Sequence, residues 1–457
     1  MSLKQDIFRQ YDIRGKVDKD LTPDTVRTLG KAMGTYFRRS GAQQTALGRE
    51  CRLSSPSFSD YLSEGLMSTG CDVIDLGTIP TPLLYFSIYT RDYDSGVMIT
   101  GSHNPPEYNG FKMMLGKKTL YGDRIQDIFH LSQNQDFVSE TPGEKSSYDI
   151  LPEYTAYVVD NIKMGSRKIK VAVDAGNGTG GRVAVPIFKQ LGCEVTELYC
   201  EMDGHFPHHH PDPTVPEALE DLIHTVKDSD LDLGIAYDGD SDRIGVIDEK
   251  GQIIWGDKLM ILFSRDILPS HPGAAVISEV KASQLLYDEI EKLGGRPIMW
   301  KTGHSLIKQK IREENAILAG EMSGHIFFND RFFGFDDAIY SSARMVEFLS
   351  HRKETLSHLL SDLPEMYSTP EIRVYASDQV KFKIVDEVKQ RLAENHPVID
   401  IDGVRAQFQH GWGLVRASNT QEALVLRFEA ESEKELQSIR SEVEKLIENV
   451  IRKLDQS

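Results

Sequence analysis

Positive charge is in short supply in this chain. Its 52 lysines and arginines face 70 aspartates and glutamates, leaving a net charge of −18. That balance excludes nucleic acid as a main partner, because a phosphate backbone is held by basic surfaces. An anionic small molecule stays compatible, provided positive groups gather locally against the overall field. Cysteine is scarce too: Cys51, Cys71, Cys193 and Cys200 form no metal-type pairs and are too few for a disulfide scaffold. Reduced thiols in a cytoplasm are the expectation. No apolar run approaches the roughly 18 residues a membrane span needs. The opening "MSLKQDIFRQYDIRG" lacks the apolar stretch of a secretory signal. Short repeats and low-complexity tracts are also missing.

What is present is a chain of 457 residues, 40% hydrophobic, enough for about three or four domains. Strand-like and helix-like segments alternate over most of it, the pattern of α/β layers. "KIKVAVD" (168–174), "RVAVPIFKQLG" (182–192) and "CEVTELY" (193–199) read as strand, helix, strand. "LDLGIAYD" (231–238) and "AAVISE" (274–279) read as buried strands, and "DKLMILFSRDIL" (257–268) as a helix. The last ninety or so residues differ, with extended segments and a closing helix over 439–454. Its residues Ile439, Val443, Leu446, Ile447, Val450, Ile451 and Leu454 should form one buried stripe. Polar joints divide the chain into 1–149, 150–251, 252–364 and 365–457, the first three α/β and the last α+β.

"TGSHNPPEYNGFK" (100–112) follows the apolar run "SGVMI", so Ser102 is expected just past a strand's end. Gly, Asn and Pro make a turn without help, but ligands of open α/β sheets bind at that place. "YDGDSDRIG" sets Asp238, Asp240 and Asp242 at alternate positions after another strand. Such carboxylates repel and raise one another's pKa unless a cation neutralises them. Oxygen ligands select Mg²⁺ or Ca²⁺. An EF-hand is rejected, since Arg243 stands where its turn needs glycine. Mg²⁺ held by three carboxylates keeps positions for phosphate oxygen, which links the cluster to a phosphorylated Ser102.

A competing pattern, Gly176, Gly178 and Gly181 with Glu197 about twenty residues on, matches a dinucleotide fingerprint and an NAD-dependent oxidoreductase. It leaves the serine loop and the aspartates unexplained.

Taken together, "FRQYDIRG" (8–15), "TGSHNPPEYNGFK", "VDAGNGTGG" (173–181), "AYDGDSDRIGVID" (236–248), "MWKTGHSLIK" (299–308), "GEMSGHIFF" (320–328) and "GWGLVRASNT" (411–420) resemble the α-D-phosphohexomutase superfamily, most closely its bacterial phosphomannomutase/phosphoglucomutase branch. The resemblance runs nearly end to end. It implies three similar α/β domains and a C-terminal α+β domain around a central cleft. It implies phosphate exchange between O1 and O6 of mannose or glucose phosphates through a phosphoserine and a hexose 1,6-bisphosphate, which also serves as activator. Ser102 matches the phosphoryl carrier, and Asp238, Asp240 and Asp242 the Mg²⁺ ligands beside it. Glu321 and Ser323 match the sugar-reading loop, with His325 beside them; Arg416, Ser418, Asn419 and Thr420 match the loop that grips the far phosphate. Tyr11, Arg14, Lys112, Arg243, Lys281 and His304 match polar or cationic positions lining the cleft.

Lys112 and His325 are the expected proton carriers, the lysine only if its pKa is lowered. Arg14 is expected on a phosphate or on the serine oxygen. His208, His209 and His210 are assigned to a loop or interface, because adjacent side chains rarely converge on one ion. Ser241 stands where glycine is usual, which puts the geometry of the metal loop in question; Ala282 and Ser55 replace an expected cysteine and glycine. Met322 stands where phosphoglucosamine mutases usually carry glutamine, which favours mannose and glucose. A silent sugar-phosphate binding protein is disfavoured, since serine, aspartates and cations are all retained. A monomer or weak dimer, with no membrane partner, completes the expectation.

Overall fold

Three times along the chain an apolar strand ends, a short polar loop follows, and the chain returns antiparallel beside it. Ser95–Ile99 is followed by Tyr108–Leu115, Leu233–Tyr237 by Ile244–Asp248, and Leu318–Gly320 by Ile326–Phe328. Each pair is hydrogen-bonded in register. These strands are covered on both faces, which is why they read as continuous apolar runs. The computed structural model describes residues 3–418 and 421–455.

On the other side of each first strand lie two parallel neighbours: Gln44–Arg49 and Asp72–Thr78, then Lys170–Asp174 and Glu194–Leu198, then Ala275–Glu279 and Arg296–Trp300. Helices cross between the parallel strands, as parallel pairing requires: Ser55–Met67, Gly181–Gln190 and Gln284–Lys292. The same strand order therefore recurs in three successive sheets, giving three similar α/β domains. Ile13–Lys16 extends the first sheet at its edge, beside Tyr108–Leu115.

The fourth sheet is antiparallel, built around Val404–Phe408, Gly411–Ala417 and Ala423–Ala430. Two helices cover it, Lys381–Ala393 and Glu433–Asp455. The closing helix begins six residues before the expected start, because the Ser432 hydroxyl caps the backbone N–H of Glu435. Ile439, Val443, Ile447 and Val450 are buried, and Leu446, Ile451 and Leu454 pack on them half-buried.

One apolar cluster continues from Leu83–Ile88 through the second sheet to Phe335–Leu349, joining the first three domains. The fourth has its own core and meets the third through a small apolar cluster of Val280, Trp412 and Leu414 and through polar contacts. Arg405, fully buried, donates to the carbonyls of Val280 and Ala282 at 2.9 and 2.8 Å.

Candidate active site

Each of the three strand pairs ends in a loop, and hydrogen bonds join the first loop to the second and the second to the third. In the first, Ser102 lies three residues past Ile99 with φ of +51°. Its hydroxyl donates to Asp238 Oδ2 at 2.8 Å and lies 3.0 Å from His103 Nδ1. Asp238, Asp240 and Asp242 are fully buried in the second loop. Asp240 Oδ2 accepts from Thr81, Thr100 and Lys112, the lysine at 2.7 Å, and Lys112 also donates to Asp242. Asp238 Oδ1 accepts the backbone N–H groups of Asp242 and Arg243, both at 3.1 Å. Burial, with Asp240 and Asp242 beside it, pushes the Asp238 carboxyl well above its ordinary range. Burial alone would lower Lys112, yet Asp240 and Asp242 outweigh it and hold the amine well above its ordinary value. The lowered pKa on which a Lys112 base depended is therefore not found; an ammonium is.

The third loop, Glu321 to His325, brings His325 against the second. His325 Nε2 accepts from Arg243 Nε at 3.0 Å, while Nδ1 sits 3.1 Å from the carbonyl of Asp242 and 3.1 Å from Asp336 Oδ2. His304 stacks on it, ring centres 5.2 Å apart. Burial and the nearby Lys308 push the His304 imidazole down to about 4. Arg14 donates to Asn104 and Asp12, so in this structure it steadies the serine loop. Glu321 accepts the N–H of Gly303 at 2.6 Å, and burial with Glu279 raises its carboxyl. Ser323 is half-buried on the turn between Glu321 and His325. Tyr11 reaches across from the first domain to donate to the Thr302 carbonyl at 2.9 Å.

In the fourth domain, Arg416 Nε donates to Asp402 at 3.0 Å, and Lys281 of the third domain donates to Glu371 at 2.6 Å. The Ser418 hydroxyl accepts from the Gln421 N–H at 3.1 Å. Asn419 and Thr420, expected in the same loop, lie outside the described residues.

Family models cover almost the whole chain in order: phosphoglucomutase/phosphomannomutase alpha/beta/alpha domain I at residues 5–138, domain II at 152–251, domain III at 255–367, and the C-terminal domain at 371–446. The chain belongs to the phosphoglucomutase/phosphomannomutase family. It is 48% identical over 442 residues to a phosphomannomutase/phosphoglucomutase of Pseudomonas aeruginosa, covering 96% of this chain and 95% of that one. It is 44% identical to a phosphoglucomutase of Neisseria gonorrhoeae, covering 98% of each. A crystal structure of a phosphoglucomutase/phosphomannomutase family protein from Burkholderia thailandensis matches with a TM-score of 0.93 at 42% identity, covering 98% of each chain.

For a member of this family the aspartate loop is the place to test for a metal. One oxygen from each of Asp238, Asp240 and Asp242 can be chosen so that all lie within 4.8 Å of one another. Asp240 Oδ1 and Asp242 Oδ1 are buried and reach no hydrogen-bond partner among the described residues. Orphaned anionic oxygens of this kind fit a hard divalent cation. Asp242, His325 and Asp336 are similarly close, but there Lys308 already supplies a positive charge 2.8 Å from Asp336.

The mutase's serine loop has a support that the sequence reading passed over. Arg52 is fully buried and donates to the carbonyls of Ser102, Asn104, Pro105 and Tyr108, and to Glu50. Glu50 in turn accepts the Gly101 N–H. Arg52 lies three residues before Ser55, but a lone Arg carries no local sign that it will be buried. The glycines of the dinucleotide pattern serve close packing: a Cβ on Gly178 would meet the Gly239 carbonyl at 2.6 Å, and one on the neighbouring Gly180 would meet Ser241 Oγ at 2.8 Å. Those glycines let one loop pack beneath the aspartates, and Glu197 pairs with Lys189 at the surface. His208 and His209 take separate partners, Asn177 and Asp174, rather than sharing an ion. Ser241 does adopt a glycine-like backbone, with φ of +60°.

Proposed function

We propose that this chain interconverts the 1- and 6-phosphates of mannose and glucose, with Ser102 as phosphoryl carrier. The observation that supports it most directly is the hydroxyl of Ser102 aimed at Asp238, inside a cluster of three buried carboxylates. Asp238, Asp240 and Asp242 would hold Mg²⁺. Bound there, the ion supplies positive charge opposite the phosphoryl oxygens of a phosphorylated Ser102.

Phosphoserine 102 donates its phosphoryl group to the free hydroxyl of the bound sugar phosphate, giving a hexose 1,6-bisphosphate and a free serine. The intermediate turns round, and its other phosphate returns to Ser102. A loose, anionic transition state asks mainly for positioning and charge. Arg243 and Lys112, held as cations beside the carboxylates, supply that charge, and Arg14 steadies the loop through Asn104. His325 takes the proton of the attacking hydroxyl at Nε2 once Arg243, which donates to that nitrogen, turns to the phosphate, and it passes the proton to the serine oxygen, while Lys112 stays an ammonium. Glu321 and Ser323 read the sugar hydroxyls, with Tyr11 and His304 along the wall. Lys281, Arg416, Ser418, Asn419 and Thr420 hold the phosphate that is not reacting. A catalytic amount of hexose 1,6-bisphosphate primes the serine.

Met322 favours mannose and glucose over glucosamine phosphate. All of these side chains come from one chain, so a monomer or weak dimer suffices, with the four domains bounded near 149, 251 and 364. No helix among the described residues is long and apolar enough to cross a membrane, and the working place proposed is the cytoplasm.

The deciding experiment is intact mass before and after phosphatase, paired with turnover of glucose-1-phosphate and mannose-1-phosphate. The wild type should lose one phosphoryl group, and Ser102→Ala should carry none and lose at least about a thousandfold in kcat. Equal turnover by Ser102→Ala would sink the proposal; preference for glucosamine-1-phosphate would overturn the sugar assignment.

A further inference from the structure

Lys281 and Arg416 each meet a carboxylate of the fourth domain, and the two contacts differ in kind. Asp402 accepts from Arg416 at Nε and from the Thr302 N–H at 3.1 Å. Contact at Nε does not use the terminal nitrogens, so Asp402 aims the guanidinium fork without capping it. Glu371 meets the Lys281 ammonium head-on at 2.6 Å. Lys281 also faces Glu279 at 3.4 Å, but Glu279 is fully buried and fixed by Thr302 Oγ1 and the Met322 N–H.

Among these five side chains two positive charges face three negative ones. A phosphate dianion entering that set meets no surplus of positive charge, and an uncompensated buried anion is costly. Withdrawing one carboxylate lowers that cost. Glu371 is placed to withdraw. Its side chain is 33% exposed, against 0% for Glu279 and 15% for Asp402. It also has a second cation nearby, Arg373 Nη2 at 3.9 Å. The charge of Lys281 holds the Glu371 carboxyl down at about 2, so it is ionised throughout the neutral range.

On the reading of Lys281 and Arg416 as the non-reacting phosphate's site, we propose that Glu371 is a built-in stand-in for that phosphate. It holds Lys281 while the pocket is empty and yields it to the ligand, so that binding is an exchange of one anion for another. Affinity is thereby set by a competition inside the protein. A phosphate dianion displaces the carboxylate, and a neutral sugar has nothing to offer Lys281 in exchange. Glu371 is also the residue just before the strand Ile372–Tyr375 of the fourth domain, so the exchange moves a contact between the third and fourth domains.

The test is Glu371→Gln in the full chain with Mg²⁺, with Glu371→Ala beside it in case the amide still binds Lys281. KM for glucose-1-phosphate, and the inhibition constant of inorganic phosphate, should both fall by about three- to tenfold. At the same time kcat should not rise. If both constants stay unchanged or increase, Glu371 orients Lys281 instead of competing for it, and the inference is wrong. Inactivity of the wild type toward sugar phosphates would instead remove the functional reading itself, which keeps the two failures apart.

Discussion

Ser102 and Asp238 stand 136 residues apart in the chain and 2.8 Å apart in the fold, the serine hydroxyl donating to the aspartate. The contact joins the serine loop of the first domain to the aspartate loop of the second. Gly239 makes it possible: a Cβ there would meet the Ser102 carbonyl at 2.7 Å. Four predictions follow from this junction and its surroundings.

Removing divalent metal should abolish turnover. Asp238, Asp240 and Asp242 are fully buried, and Lys112, Arg243 and hydrogen bonds balance them. After EDTA dialysis, added Mg²⁺ should restore activity and raise the melting temperature with the logarithm of its concentration above Kd. The stabilisation expected is about 2.7 kcal/mol at a hundred times Kd. Asp242→Asn should blunt both responses, and a melting curve indifferent to Mg²⁺ would contradict the site.

Arg52→Lys should separate positioning from binding. The guanidinium reaches four carbonyls of the serine loop, and an ammonium cannot span them. We expect kcat to fall about a hundredfold, with KM little changed, and stability to drop by about 3 kcal/mol in a urea melt. A KM rising as steeply as kcat falls would mean that the whole cleft, not the loop, had been disturbed.

Ser241→Gly should stabilise the protein. Ser241 has φ of +60° and a buried hydroxyl without a partner among the described residues. Relief of both should exceed the extra flexibility of glycine in the unfolded chain, leaving a gain of about 1 kcal/mol. Denaturant unfolding decides it; a loss of stability would show that Ser241 packs better than its backbone suggests.

His304 should shape the acid limb of stability. Its imidazole is held down at about 4, with burial the largest cause, so the folded protein keeps it neutral where an unfolded chain would protonate it. The unfolded state then binds more protons between about pH 6.5 and 4, and this contribution is lost as pH falls through that window. It amounts to about 3 kcal/mol when fully lost. Unfolding free energy measured from pH 7 to 4 should fall less steeply in His304→Gln; identical slopes would refute the assignment.

Much of the architecture is readable locally. "SGVMI", "LDLGIAYD" and "AAVISE" are apolar runs because both faces of those strands are covered, and all three appear as strands. The spacing of the closing helix was legible for the same reason: helical periodicity is set by neighbours three and four residues away. Harder to read was the start of that helix, which depends on one serine hydroxyl capping it. The glycine-rich loop at 176–181 was open to two readings, because close backbone approach to a phosphate and to another loop ask for the same residue.

The chain's order of residues settled which groups stand at the ends of which strands: a serine, three aspartates, a glutamate with a histidine, an arginine. Each follows from patterns only a few residues long. Folding alone decided what those groups meet. Lys112 became an ammonium clamp because two carboxylates from another domain reached it. Arg52 became the anchor of the serine loop because four carbonyls closed around it, and Lys281 met Glu371 because two domains abut. Charge interactions depend on distance and on exclusion of water, and neither exists for distant residues until the chain has packed.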